Sequence, residues 1–161
     1  MKTWKKYKDR ENKYAATFEL GDRTVILPKG AVISITRGEY FSLPRLLVNG
    51  LLNHFVMKTM INNSNLLYAE LTGQLQGGVG QTMTVWKNGK SMNQFRKVGF
   101  HNFARKFFGW VFYSGRVQSY FLTWENQGYI PTSEEATFIV KKYGRHFDGG
   151  KLRRKSSTPK L

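Results

Sequence analysis

The spacing of apolar and polar residues changes period several times along the chain, and each change marks an element. From Lys2 to Lys13 charged residues dominate and Trp4, Tyr7 and Tyr14 are the large apolar groups, so residues 1–16 read as an exposed basic arm. The runs ATFEL and RTVIL flank Gly21-Asp22 and are closed by Pro28 and Gly30. They predict an added β-hairpin over residues 17–30. Val32, Ser34 and Thr36 then alternate with Ile33, Ile35 and Arg37, a β-branched pattern suited to a first core strand. After Ser42, a candidate N-cap, Leu43, Leu46, Leu47, Gly50, Leu51 and His54 recur at helical spacing, with Pro44 in the first turn. This stripe is expected to be the apolar face of a helix that ends at Asn62 and Asn63.

NLLYAELTGQL reads as a second strand, the Gly-rich GGVG as a turn, and TMTVW as a third strand. Between Gly89 and Trp110 the period is helical, with Met92, Phe95, Gly99 and Phe103 on one stripe. Gly99 weakens that helix by up to about 1 kcal/mol relative to Ala, so a break is expected at residues 98–100. RVQSYFLTWE is apolar on both faces and reads as a fourth strand. Last, Thr132 or Ser133 caps a helix with Glu134 and Glu135 in its first turn, Lys141 and Lys142 in its last, and Gly144 beyond its end.

The order predicts an α+β fold, a ferredoxin-like β-α-β-β-α-β domain over residues 31–146, followed by a basic C-terminal tail at residues 147–161. Helices on one face of such a sheet leave the other bare. A homodimer packed face to face, forming a dimeric α/β barrel, is the expected remedy.

At 161 residues, one core of ordinary size is expected, and 15% aromatic content supplies ample apolar surface for it. No run reaches the roughly 18 apolar residues of a membrane span, and the first residues lack the apolar stretch of a secretory signal, so a cytoplasmic protein is expected. The absence of cysteine excludes disulfides, thiolate metal sites and cysteine nucleophiles. The three histidines are scattered, and no metal-ligand spacing can be drawn. Glycines 73, 77, 78 and 80 lack the Lys-Ser/Thr ending of a phosphate loop and read as a strand connection. No Ser sits in a Gly-x-Ser-x-Gly turn.

The net charge of +16 is concentrated at the ends: residues 1–14 carry six bases against two acids, and residues 151–161 carry five bases and no acid. Lys151, Arg153, Arg154 and Lys155 are therefore candidates for binding a polyanion, whether a membrane surface, an acidic protein or nucleic acid. From Leu71 to Trp124 there is no acid but there are seven Lys/Arg, which is unusual for a segment lining an apolar pocket.

The stretch TVWKNGKSMNQFRKVGFHNFARKF carries Trp86, Phe95, Gly99 and His101 in a Trp, spacer, Phe, small-residue-plus-His pattern. It resembles the spheroidene monooxygenase-like group of the antibiotic biosynthesis monooxygenase and dimeric α/β barrel superfamily. ISITRGEYFSLPRLL resembles the strand-to-helix junction of that group, and YAELTGQLQGG its Gly-containing second strand. The resemblance covers residues 32–124 and implies a hydrophobic pocket between sheet and helices for a flat or elongated apolar substrate, polycyclic or isoprenoid. Members of the superfamily include cofactor-free monooxygenases, haem-degrading enzymes and a carotenoid monooxygenase, so haem is left open as a cofactor. Haem-degrading members carry their ligand His further along this helix, where this chain has Arg105.

His101 is the candidate catalytic residue, because a neutral imidazole can act as general base or ligate iron. Trp86 is paired with it as a cofactor contact, although filling the core is the commoner role of such an indole. His54, Phe95, Phe103 and Trp124 are expected to line the substrate pocket. The aromatic run from Phe100 to Tyr113 is denser than one helix face can bury, so part of it is expected to meet a dimer mate, another protein or lipid. Two functions follow: a monooxygenase-like oxidoreductase acting on an apolar substrate, or a non-catalytic basic barrel protein that binds an acidic partner, an anionic membrane or nucleic acid.

Overall fold

The alternating runs pair with one another, and their registers decide which residues meet. The computed structural model describes residues 2–8, 15–126 and 128–159. These form eight strands and five helices: β1 (Trp4–Lys8), β2 (Ala15–Gly21), β3 (Val32–Glu39), α1 (Leu43–Ile61), β4 (Leu66–Gln74), β5 (Val79–Trp86), α2 (Gly89–Lys97), α3 (Gly99–Phe108), α4 (Trp110–Tyr113), β6 (Gln118–Glu125), α5 (Ser133–Tyr143), β7 (Arg145–Asp148) and β8 (Lys151–Arg154). The strands form one antiparallel sheet in the order β1-β2-β4-β5-β3-β6-β7-β8. The four predicted core strands are its centre, with β3 between β5 and β6.

Because side chains alternate across a pleated sheet, the register sorts them into two faces. One face presents Ile33 and Ile35 beside Val85 and Met83 on β5, and beside Trp124 and Leu122 on β6. These residues are buried together with Ala136, Ile139 and Val140 of α5. The other face presents Ser34 and Thr36 beside Thr84 and Thr82 on β5, and beside Thr123 and Phe121 on β6. Helix α1 packs on this second face through Val56 and Met60, which share a buried cluster with Trp86 and Met92.

The sheet face expected to be bare for a second copy is therefore covered by the chain's own α5. That helix is fixed at its start by a capping box, in which the Thr132 hydroxyl accepts from the Glu135 N–H while the Glu135 carboxylate accepts from the Thr132 N–H.

Beneath the start of α5 lies a buried polar network. Arg23 and the Ser133 hydroxyl both donate to the carboxylate of Glu70, and Tyr68 donates to it at 3.0 Å. Arg23 also reaches the Pro131 carbonyl at 2.8 Å, which ties the loop after β2 to the segment that leads into α5. Burial raises the Tyr68 phenol far above its ordinary pKa, and the Glu70 charge adds to that, so Tyr68 remains a donor. A second group joins Glu39 to Arg37 at 2.8 Å and to Lys141 at 3.0 Å. Burial alone would raise the Glu39 carboxyl, but the hydrogen bonds and charges of Arg37 and Lys141 outweigh it and hold its pKa below the ordinary value.

Three sequence expectations are corrected here. The N-terminal hairpin is β1–β2, pairing Trp4 with Leu20, and residues 23–27 form no strand but a turn and loop held under the sheet by Arg23. The middle of the expected basic arm, residues 9–14, lies outside the described residues. The basic tail is not free along its length: Lys151–Arg154 is edge strand β8, and the Arg154 guanidinium donates to the Gly144 carbonyl. Third, the stripe Leu43, Leu47 and Leu51 points to solvent, with Leu47 63% exposed, whereas α1 buries Asn49, Val56 and Met60. Periodicity found the helix but chose the wrong face, because both flanks of α1 are rich in apolar residues.

Candidate functional site

The break expected near Gly99 is present and has a geometric effect. Helix α2 ends at Val98 in extended backbone, and Gly99 takes φ +65°, a left-handed conformation that costs little without a Cβ. The chain changes direction there, and α3 brings His101 back over the sheet. Between the hydroxyl-bearing sheet face and helices α1–α4 lies a cavity of about 270 Å³. Its floor is Ser34, Thr36, Thr82 and Thr84, and Asn49 and Asn53 of α1 form one side.

The inner wall is aromatic. Trp86 is buried at the end of β5, and its indole N–H donates to the Thr84 hydroxyl at 2.9 Å. Its ring lies 4.9 Å from that of Phe95, which in turn lies 5.3 Å from the His101 imidazole. Nδ1 of His101 is buried and has no hydrogen-bond partner among the described residues. Burial lowers the His101 pKa from its ordinary 6.5, and the positive charges of Arg96 and Arg105 lower it further, against a partial offset from the Arg96 backbone. The ring is therefore mainly neutral at pH 7. A second, more open hollow of about 320 Å³ lies on the other side of Phe95 and His101, lined also by Thr59, Asn63, Ser91 and Gln94. The two rings form the partition between the hollows.

The structure brings together Trp86, Phe95 and His101, and it separates the other pocket candidates from them. His54 is exposed on the outer side of α1. Phe103 is 45% exposed and stacks outward on Phe107, with ring centroids 4.9 Å apart. Trp124 is buried on the opposite face of the sheet, in the core under α5. The parity of β6 decides this, since Trp124 sits opposite Ile33 while the cavity uses the alternate positions. Lys151, Arg153, Arg154 and Lys155 are exposed along β8 and just beyond it, with Arg153 paired to Asp148 at 3.1 Å.

Sequence reasoning missed the hydroxyl floor and the arginines at the mouth. Arg96 of α2, Arg105 of α3 and Arg145 of β7 all border the cavity. The signals were the alternating threonines of TMTVW and the acid-free run from Leu71 to Trp124. Among the described residues no group of three or more His, Cys, Asp or Glu could hold a metal ion, and no helix is long and apolar enough to cross a membrane.

The fold and site define an α+β protein with an eight-stranded antiparallel sheet and a cavity between that sheet and its helices. No family model matches the chain, and no curated protein matches it. Among solved structures it is similar to a conserved protein from Methanosarcina mazei Go1, at 8% identity and a TM-score of 0.48 over 60% of this chain and 94% of that one. It is also similar to two chains each called a "putative monooxygenase". For the one from Lactobacillus acidophilus NCFM the identity is 11% and the TM-score 0.47, over 64% of this chain and 50% of that one. For the one from Fusobacterium nucleatum subsp. nucleatum ATCC 25586 the values are 10% and 0.49, over 71% and 55%. The chain thus spans about half the length of these two.

Proposed function

We propose that this chain is a monooxygenase-like protein that takes a small, flat ligand into the cavity between sheet and helices. The observation that carries the reading is the inner wall, where Trp86 and Phe95 lead to a neutral His101 whose buried Nδ1 has no partner. The wall residues are those of the spheroidene monooxygenase-like pattern, and β3-α1-β4-β5-(α2–α4)-β6 follows the ferredoxin-like order that such proteins use. In this reading His101 is the general base. It accepts an O–H or C–H proton from an electron-rich ring stacked along Trp86 and Phe95, the protonation state for which its burial prepares it.

Haem fits this site poorly. The cavity, at about 270 Å³, lies just below the roughly 300–1,000 Å³ range of pockets that hold drug-sized ligands, whereas haem is larger than most such ligands. The reading is therefore cofactor-free. Its test is oxygen uptake with small hydroxylated aromatics such as naphthols and anthrones, in wild type and His101→Ala, beside a haem titration. Uptake should fall by about 100-fold or more in the variant, as expected for loss of a general base, and no Soret band should depend on His101. Uptake indifferent to the substitution, or a haem band that disappears with it, overturns the reading.

A second reading is favoured by one surface. On the outer side of the helix layer Leu43, Leu47, Leu51, Phe103, Phe107 and Trp110 are each between 45% and 65% exposed. Helices α1–α4 contain no acid and carry Arg45, Lys58, Lys97 and Lys106 among their cations, with the Arg45 guanidinium over the Trp110 ring. Apolar and aromatic side chains with interspersed cations and no anions suit the interface of an anionic membrane. The same ridge is a candidate face for the homodimer implied by the resemblance, since α5 packs on the sheet face expected to carry it. Flotation with phosphatidylserine vesicles, alongside solution mass, separates the two. A single-chain mass with vesicle binding reduced about tenfold or more in a Leu47→Asn, Phe107→Asn variant supports the membrane. A two-chain mass that falls to one chain in that variant assigns the ridge to dimerisation and removes the membrane reading.

A further inference from the structure

The cavity does not end in a neutral opening. Arg96, Arg105 and Arg145 come from three different elements, α2, α3 and β7, and border the same space together with the Tyr113 ring. Arg96 is half-buried, whereas Arg105 and Arg145 are exposed at the rim. The Arg145 guanidinium carbon lies 5.2 Å from the Phe147 ring centroid and 5.9 Å from that of Phe121.

None of the three is in an ion pair among the described residues. Arg105 donates to the side chain of Asn102 at 3.2 Å, and the other two side chains have no hydrogen-bond partner among the described residues. Burial disfavours the charge on Arg96, and the charges of Arg105 and Arg145 add to that. Other half-buried cations of this molecule have acceptors from the chain: Arg23 has Glu70, Arg37 has Glu39, and Arg45 has the Ser114 carbonyl. A cluster of like charges at the mouth of a cavity, with no anion from the chain, is completed when a ligand supplies the anion. Guanidinium forks match carboxylate and phosphate oxygens, and each carries five donors.

We infer that Arg96, Arg105 and Arg145 form an anion subsite, so that the ligand of this cavity is a small amphiphilic acid. A flat ring body reaches inward along Phe95 and Trp86, and a carboxylate or phosphate stays at the mouth. The hydroxyls of Thr36 and Thr82 below the ring select a body that carries polar substituents over a bare hydrocarbon. This inference rests on the cavity being the ligand site proposed above. It replaces the neutral apolar substrate implied by the resemblance with an acidic one.

The test is calorimetric titration of the full chain with 1-naphthoate, 1-naphthyl phosphate and the uncharged 1-naphthalenemethanol. The anions should bind about tenfold or more tightly than the alcohol, the order of magnitude lost with one charged hydrogen bond. Arg145→Gln, at an exposed position, and Arg96→Gln should each erase most of that advantage without weakening the alcohol. The tighter of the two acids identifies the head group. Three equal affinities, unchanged in both variants but lowered by Phe95→Ala, overturn the anion subsite and leave the cavity reading standing. No binding of any of the three overturns both. An anion preference that survives both substitutions but disappears on removing residues 151–161 moves the anion site to the tail and overturns the inference.

Discussion

Trp86→Ala is expected to destabilise the chain by about 4 kcal/mol, because deleting a fully buried Trp typically costs about 3–5 kcal/mol when the neighbours cannot fill the space. The indole is 1% exposed and packs in one cluster with Val32, Val56, Met60 and Leu66, which come from three different elements. Those neighbours are held by the sheet register and by α1, so collapse into the vacancy would require the helix to move. At this chain length the loss corresponds to a fall in melting temperature of roughly 12 °C. Trp86→Phe retains a ring against Phe95 but leaves the Thr84 hydroxyl without its donor, and it should lose less than half as much. Urea unfolding of the three proteins measures both differences. A loss below about 1 kcal/mol for the alanine variant would mean that the site relaxes freely and that Trp86 does not hold the inner wall in place.

Glu70→Ala is the second large effect, expected at about 3 kcal/mol. The carboxylate is almost wholly buried and accepts from Arg23, Tyr68 and Ser133, so its removal strands the Ser133 hydroxyl under α5 and leaves Arg23 and Tyr68 with Glu19 as their remaining carboxylate. The value sits at the lower end for a broken buried pair because Arg23 is partly exposed and can recover some hydration. A double-mutant cycle with Arg23→Ala separates the pair from the rest, and a coupling near zero would assign the loss to Tyr68 and Ser133 instead. The readout should include the near-ultraviolet signal of Trp124, since α5 covers that ring and the network anchors the start of α5.

The four central strands and the boundaries of α1 and α5 were legible because they depend on local signals. Alternation over residues 32–37, the cap at Thr132 and the break at Gly99 each act within a few residues of their cause. What was not legible depends on partners distant in sequence. The face of α1 that is buried was decided by the sheet beneath it, and with apolar residues on both flanks the helix gave no unambiguous stripe. Phe103 and Trp124 are apolar in suitable elements, yet helix phase turns one outward and strand parity puts the other behind the sheet. His101 was legible as a residue type with a motif, whereas its missing partner and lowered pKa come from burial that no short window contains. The arginine cluster joins residues 49 positions apart in sequence, Arg96 and Arg145, and only the pairing of β7 with β6 brings them to one rim.

Among the described residues the sheet is bordered by β1, with Lys5 and Lys6, on one side and β8, with Lys151, Arg153 and Arg154, on the other. A border strand offers unpaired backbone groups to any other strand of the same kind, and lysines there are a common safeguard against stacking of copies. Two such borders approaching one another would bring cation against cation. The basic charge on β1 and β8 thus suits them as edge strands, a role that needs no binding partner.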